Sequence, residues 1–402
     1  MITCAFIFLT LIALPFYVIR FTVLGLPTTL LEIILLATVA VWTFGKIHTR
    51  SFPTLPKEWR APAILFFTAS LFALLAAPQF LPALGHWRAY ILEPILFALV
   101  LIDTIKTEHD RSLVAYALTA SLVIPVAVAL YQQLTGLSIP NEFWAASATR
   151  RVTSIYGYPN ALGLYAVPIL ILTLGQFTKS QNHKITKITL LTLFITTMTS
   201  IIFIRSKGAL LALITGIVLF FLLNAKKKFI TMGMLLFIAI GGIIIFKDSI
   251  NLRGFSTVQG GDSISVRLTQ YRETWEMLRT HPLTGAGLRG YQTAMIPYHQ
   301  QNYIEIFLYP HNIFLAMWSE LGLLGLIAFL WLLFQFFKTI INQSNNKSIH
   351  YAAAASMCAL LVHGLVDVPY FKNDLAVLFW ILIALSMMQV QPSRQIQKNV
   401  LQ

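Results

Sequence analysis

A histidine sits at a junction in this chain. His311 follows Pro310 and precedes Asn312, where a long polar stretch gives way to an apolar run, and Glu320 stands nine residues on. A ring at the start of a helix feels the positive end of the helix dipole. That field disfavours imidazolium and leaves an imidazole able to accept a proton, as a general base must. The same residue types equally fit an interfacial histidine that only caps a helix end. A second constellation is cationic: Arg205, Ser206, Lys207 and Gly208 fall at a predicted tight hairpin between two apolar runs. Cations there suit an anionic headgroup, and a guanidinium fork can grip phosphate oxygens through paired charge-assisted hydrogen bonds. Plain snorkelling of long basic side chains to a membrane interface is the alternative. Arg267, Arg272 and Arg289 would enlarge the same positive surface if the polar stretch that carries them folds over the hairpin.

Other polar groups are read with both meanings. Glu32 and Glu93 interrupt apolar runs, where acids are costly and so draw attention to function, but Arg20 and Arg88 lie near enough in sequence to pair with them, which favours a structural role. His363 and Asp367 are one helical turn apart and would either support a site or form a local polar pair. The run Gly285-Ala286-Gly287-Leu288-Arg289-Gly290 matches a dinucleotide fingerprint, but no strand and helix of a βαβ unit flank it, so a tight backbone turn is expected. No Asp-x-Asp pair occurs among the six aspartates, and no His, Asp or Glu cluster has metal-ligand spacing, so neither metal nor cofactor is expected.

These residues must be positioned by apolar elements. Of 402 residues 57% are hydrophobic and only 11% charged, less than half of the ~25% usual in soluble domains. Repeated charge-free stretches reach the ~18–20 residues that a membrane-crossing helix needs. The fold class expected is therefore an all-α polytopic membrane protein. About 12 spans are expected, near 2–19, 28–45, 61–77, 87–105, 112–134, 157–177, 188–204, 208–224, 229–246, 321–341, 350–366 and 373–390. The first span, lacking a basic leader and a small-residue cleavage pattern, reads as retained. Placing the N-terminus in the cytoplasm puts 16 of the 29 basic residues inside, so both termini are expected there. The run 226–228 then reads as an inner anchor. Spans 1–9 occupy 1–246, one large outer-face loop occupies 247–310, and spans 10–12 occupy 311–402, all within one unit. Inside the loop, Leu268, Tyr271, Trp275 and Leu278 recur at spacings of three and four. That spacing predicts a helix over Ser263–Thr280, ended by His281-Pro282, with an apolar stripe lying against the membrane surface or the span tops. The two cysteines, Cys4 and Cys358, allow no disulfide framework.

Several motifs, in order, resemble the O-antigen ligase and O-antigen polymerase superfamily (Wzy-C type) of lipid-linked glycan transferases. His311-Asn312, nine residues, then Gly322-Leu323-Leu324-Gly325 is similar to the ligase pattern His-(Asn/Ser/Gln)-x9-Gly-x-x-(Gly/Thr/Tyr). Arg267-x3-Tyr271, followed by His281-Pro282-Leu283-Thr284-Gly285-Ala286-Gly287, resembles the family's Arg-x3-Trp and His-Pro-Leu-x-Gly-x-Gly run, with Tyr in place of Trp. Tyr158-Pro159-Asn160-Ala161-Leu162-Gly163 is similar to its earlier Pro-Asn element. Ser206-Lys207-Gly208-Ala209 resembles Ser-Arg-Gly-Ala, so the aligned cation is Lys207, with Arg205 two positions earlier as the other candidate.

The resemblance implies a GT-C-like membrane glycosyltransferase of the bacterial inner membrane that needs no cofactor. It would move a glycan from undecaprenyl diphosphate to an acceptor hydroxyl of lipid A-core, a growing polysaccharide or a protein, on the outer face, by an inverting, metal-independent route. His311 would be the base, Arg267 with Lys207 or Arg205 would stabilise the departing diphosphate, and Arg272 and Arg289 would add to the diphosphate site. Asn312, Tyr271, Glu320, His363 and Asp367 would support it. No nucleic-acid partner is implied. A flippase or transporter of lipid-linked oligosaccharide is the alternative from another class, and it needs no general base.

Overall fold

The computed structural model describes residues 2–23, 25–51, 53–177, 184–225, 263–300, 305–342 and 347–388. The expected ninth span at 229–246, the anchor 226–228 and the first part of the large loop, 247–262, lie outside the described residues. A hydrocarbon surround leaves backbone groups no partner but the chain itself, which favours helices. Helices dominate accordingly: α1 (Ile2–Ala13), α2 (Leu30–Thr49), α3 (Lys57–Leu75), α4 (Phe80–Trp87), α5 (Glu93–Thr104), α6 (Glu108–Ser121), α7 (Val123–Thr135) and α8 (Glu142–Ala145). They are followed by α9 (Pro159–Phe177), α10 (Lys184–Phe203), α11 (Lys207–Asn224), α12 (Ser263–Thr280), α13 (Tyr291–Met295), α14 (Ile313–Asn342), α15 (Lys347–His363) and α16 (Asn373–Met387).

Among the described residues, eight helices are long and apolar enough to cross a membrane, with α4–α5 and α6–α7 each counting as one continuous rod. Three shorter apolar helices, Ile2–Val18, Ser348–His363 and Asn373–Met387, join them. One small exception to the all-helical expectation is a hairpin of β1 (Arg20–Val23) and β2 (Leu26–Thr29), paired antiparallel across Gly25 in the left-handed region. Its β-branched residues and glycine turn suit a hairpin better than a helix start.

The core is centred on α9 and α16, which are apolar on all sides and nearly or wholly buried, as a helix without a polar stripe must be. Around them α11 packs along α15, α3 along α14, and α5 along α16. Small residues set the spacing of α9, α11 and α15: a Cβ at Gly163, Gly175 or Gly216 would press on Ala209, Ala352 or Ile171.

The two acids in apolar helices are structural, as their arginine neighbours suggested. Glu32 closes a capping box at the start of α2, accepting from the Thr29 N–H (2.9 Å) while its own N–H donates to the Thr29 hydroxyl (3.2 Å). The π turn Arg88–Leu92 precedes Pro94, which has no N–H to continue a regular ladder. Arg88 reaches from that turn to Glu32 (3.1 Å) and Glu93 (3.2 Å) at once.

Candidate functional site

The end of the bundle that carries β1–β2, the start of α9 and the start of α14 is capped by α12, with the bounds its spacing predicts. The apolar stripe expected from the spacing divides between two faces. Leu268 and Trp275 are exposed, while Gln270, Thr274, Met277 and Leu278 face inward. On the inner face the Thr274 hydroxyl bonds the Gln270 carbonyl (2.6 Å) and the Tyr291 hydroxyl (2.7 Å), so its burial costs little.

The glycine-rich run is a turn, and its function is docking. Gly285 and Gly287 have positive φ, and the Ala286 N–H donates to the Ser319 carbonyl (2.7 Å) while the Leu288 N–H reaches the Ala73 carbonyl (3.0 Å). Opposite, Gly322 breaks the helical geometry of α14 (φ 69°, ψ −179°), letting the Leu323 N–H take the Leu283 carbonyl (3.1 Å). A Cβ at Gly322 would collide with that carbonyl. The two motifs, 281–287 and 322–325, are thus socket and plug of one joint. Glu320, fully buried, accepts the Arg289 N–H at the same joint, so it fixes the loop and is not part of the cationic cavity.

Above α14, Asn312 is the cap: its side-chain oxygen accepts the N–H groups of Phe314 (3.0 Å) and Leu315 (3.1 Å), and its amide donates to the Leu365 carbonyl (3.2 Å). The Tyr271 hydroxyl shares its proton between the carbonyls of His311 and Leu365, each 2.7 Å away. Arg267 donates from Nε to the Val366 carbonyl (2.8 Å). The segment after α15 is therefore tied to both α12 and the start of α14. That places Asp367 against His311, with Nδ1 to Oδ1 at 3.5 Å. Asp367 also accepts from the Asn160 amide (3.1 Å) and the Val368 N–H (2.9 Å). Burial alone would raise its pKa. The His311 hydrogen bond, the His311 and His363 charges and the Val368 N–H outweigh burial and hold the carboxyl well below its usual range.

Asp367 is one wall of a cavity of about 330 Å³. Arg205, Lys207, Arg267 and Arg151 line it together with Asn160 and the buried His363. Ser206 caps α11 through the Ala209 N–H (3.4 Å), and Arg205 before it adopts a left-handed conformation (φ 49°), turning the chain so that 205 and 207 face one space. Gly208 leaves room for His363, whose Nε2 would be 3.3 Å from a Cβ there. Arg151 is pushed down to about 10, chiefly by burial and then by the Arg205 and Arg267 charges.

The structure brings together Arg205, Lys207, Arg267, Tyr271, His363 and Asp367 on the cavity, with His311 and Asn312 at its edge through Asp367 and Tyr271. Besides Glu320, it separates two others. Arg272 is exposed on α12 and does not line the cavity, because a step of five residues from Arg267 turns it to another face. Arg289 lies on the docked loop, near His86 and Tyr90. Sequence reasoning missed Arg151 and treated Asn160 as a marker of motif order alone. Among the described residues, no group of three or more His, Cys, Asp or Glu side chains is placed to hold a metal ion.

A cation-lined cavity lies under a helical cap at the end of an apolar helical bundle, and the long apolar helices are those of a multi-pass membrane protein. Residues 191–330, about a third of the chain from α10 to the middle of α14, match the family model described as O-antigen ligase. A curated protein of Rickettsia conorii named "Putative polysaccharide ligase" is 37% identical over 79 residues, a stretch covering 18% of this chain and 19% of that protein. The matched part thus spans about a fifth of the relative's length.

Proposed function

We propose that the protein is a membrane glycosyltransferase of the O-antigen ligase or polymerase type. It transfers a glycan from undecaprenyl diphosphate to an acceptor hydroxyl on the outer face of the inner membrane, with inversion and without a metal. One observation carries the reading: cations from three separate parts of the chain, Arg205 with Lys207, Arg267 and Arg151, converge on a cavity whose lining carboxylate, Asp367, contacts His311. The family match and the relative's name support the same class.

In the step proposed, His311 takes the acceptor's proton and the acceptor oxygen attacks the anomeric carbon. The bond from that carbon to the diphosphate oxygen breaks, and its electron pair stays on the phosphate. Asp367 orients the ring and favours the imidazolium as it forms, as a buried carboxylate beside a histidine does in other general-base systems. Arg267 and the cations of the 205–208 turn meet the charge of the leaving group. A preorganised contact of that kind is worth about 3–4 kcal/mol at a transition state. Lys207 offers a point charge where Arg205 offers a fork, and both face the cavity, so the diphosphate is given both.

Arg267→Ala tests the clamp. In proteoliposomes supplied with a lipid-linked donor, turnover per folded molecule falls by about two orders of magnitude, consistent with the loss of one such contact. Undiminished turnover in this variant contradicts the reading.

A further inference from the structure

The side of α12 that points away from the bundle is itself patterned. Leu268, Arg272, Trp275 and Arg279 are all exposed, and they follow one another at steps of four, three and four. At about 100° per residue that spacing gathers them within an arc of roughly 60°, a narrow row along the helix. Two large apolar groups thus alternate with two guanidiniums. The acids of the helix stand off that row: Glu273 is buried and held by the His299 ring (3.1 Å) and the Gln300 N–H (3.1 Å), and Glu276 is half-buried.

The row continues onto a surface that faces lipid. Trp275 meets Trp318 edge to face, with centroids 5.7 Å apart and planes at 81°, and the Trp318 indole N–H is fixed on the Pro282 carbonyl (2.7 Å). Leu283, 73% exposed, sits beside α14 just after its kink, because its carbonyl accepts the Leu323 N–H. From there Leu324, Ile327, Trp331 and Phe334 are exposed at steps of three, four and three along a helix long and apolar enough to cross a membrane. In a span, the apolar stripe turned away from the bundle is the side that hydrocarbon covers. Tryptophans collect where lipid meets water, and an arginine there lays its stem on apolar surface while its head stays among the headgroups. Apolar anchors interleaved with cations on one helix face are the composition of a helix lying in that interface.

We propose that this row of α12 is a membrane-docking face, with Leu268 and Trp275 seated in the interfacial layer of the bilayer and Arg272 and Arg279 on anionic phospholipid headgroups. Charge complementarity points to the headgroup, and continuity with the exposed stripe of α14 points to a bilayer and not to a protein partner. Leu268 belongs both to this face and to the lining of the cavity, so docking holds the mouth of the cavity at headgroup depth. An anionic group carried on a lipid then reaches the mouth without leaving the interface. This docking does not depend on which chemistry the cavity performs, and it stands apart from the transferase reading.

The test uses the full-length protein in nanodiscs of mixed phosphatidylcholine and phosphatidylglycerol, and reads Trp275 fluorescence as the difference between wild type and Trp275→Phe. Bromine on the upper acyl carbons of the lipid is expected to quench that component, and aqueous iodide to leave it largely untouched. Bromine carried by phosphatidylglycerol should quench it more than the same mole fraction carried by phosphatidylcholine, with a preference of about fivefold for each arginine. Arg272→Gln/Arg279→Gln should bring the two lipids level, whereas Arg272→Lys/Arg279→Lys should keep the preference. Should the double glutamine variant not fold, salt decides on the unmodified protein: high salt screens exposed charges and should also level the two lipids. Quenching by iodide without quenching by bromolipid overturns the docking, and so does a component silent to both, which marks a face covered by protein. Equal quenching by the two lipids in the wild type, or a preference indifferent to both the glutamine substitutions and salt, overturns the assignment to anionic headgroups.

Discussion

Asp367→Asn separates the two things that the cavity's carboxylate does. It faces His311 at 3.5 Å, and among the described residues it is the acidic group that lines the cavity with Arg151, Arg205, Lys207 and Arg267. Loss of a charged hydrogen bond costs about 1.5–3 kcal/mol, and 3.5 Å is longer than the ~2.7–2.9 Å of a strong charge-assisted contact. The lower part of that range, about 1.5–2 kcal/mol, therefore applies, and kcat is expected to fall roughly 10–30-fold, at about 1.4 kcal/mol per decade. The donor's KM should move the other way, staying level or falling, because the change removes the negative charge nearest the cations. The assay is initial-rate glycan transfer in proteoliposomes over a range of donor concentrations. There is a stability signature too. The native carboxyl lies below its usual range, so its contribution is present above about pH 4 and is lost as pH falls below that. Acid unfolding of Asp367→Asn should lack this component. An unchanged kcat, or a raised KM with kcat intact, would refute the orienting role.

Two further changes probe the scaffold. Gly322→Ala puts a Cβ against the Leu283 carbonyl at a backbone conformation unfriendly to side chains, so it should cost at least about 1–3 kcal/mol in thermal unfolding and undock the 281–287 loop, with transfer lost alongside; a wild-type melting temperature would contradict the plug-and-socket joint. Arg88→Ala strands the carboxylates of Glu32 and Glu93, for which about 3–5 kcal/mol of destabilisation is expected, and a negligible shift in unfolding would show that the pair is solvated.

Much of this was readable in advance where one residue type admits one local solution. Apolar run lengths located most of the long apolar helices among the described residues, and the bounds of α12 followed from its periodicity and from His281-Pro282. The order of the His-Asn, His-Pro-Leu and Ser-Lys-Gly motifs pointed to a family that the domain match bears out. What escaped depended on long-range contact. By spacing alone the apolar stripe of α12 suits either the membrane surface or the span tops, and only the fold divides it: Leu278 is buried, Leu268 and Trp275 are exposed, and Gln270 and Thr274 face inward to partners on Tyr309 and Tyr291. Arg151 gave no local signal that distinguished it from Arg150, since only the approach of residue 204, far away in sequence, makes it a wall of the cavity. Arg289 was grouped with the other cations by charge and segment, whereas the docking of its loop on Glu320 carries it elsewhere. The spacing 322–325 was recognisable as a motif, but that it is a kink receiving another loop follows only from the backbone angles of Gly322.

The most direct test of the central claim is single-turnover glycan release by His311→Ala in a purified, correctly inserted protein, with lipid-linked donor prebound and acceptor in excess. Transfer should drop by about 10²–10⁴-fold, the usual contribution of a general base, while farnesyl diphosphate binding stays within a few-fold of wild type. Transfer at the wild-type rate would contradict the account and return the protein to the class of lipid-linked oligosaccharide transporters.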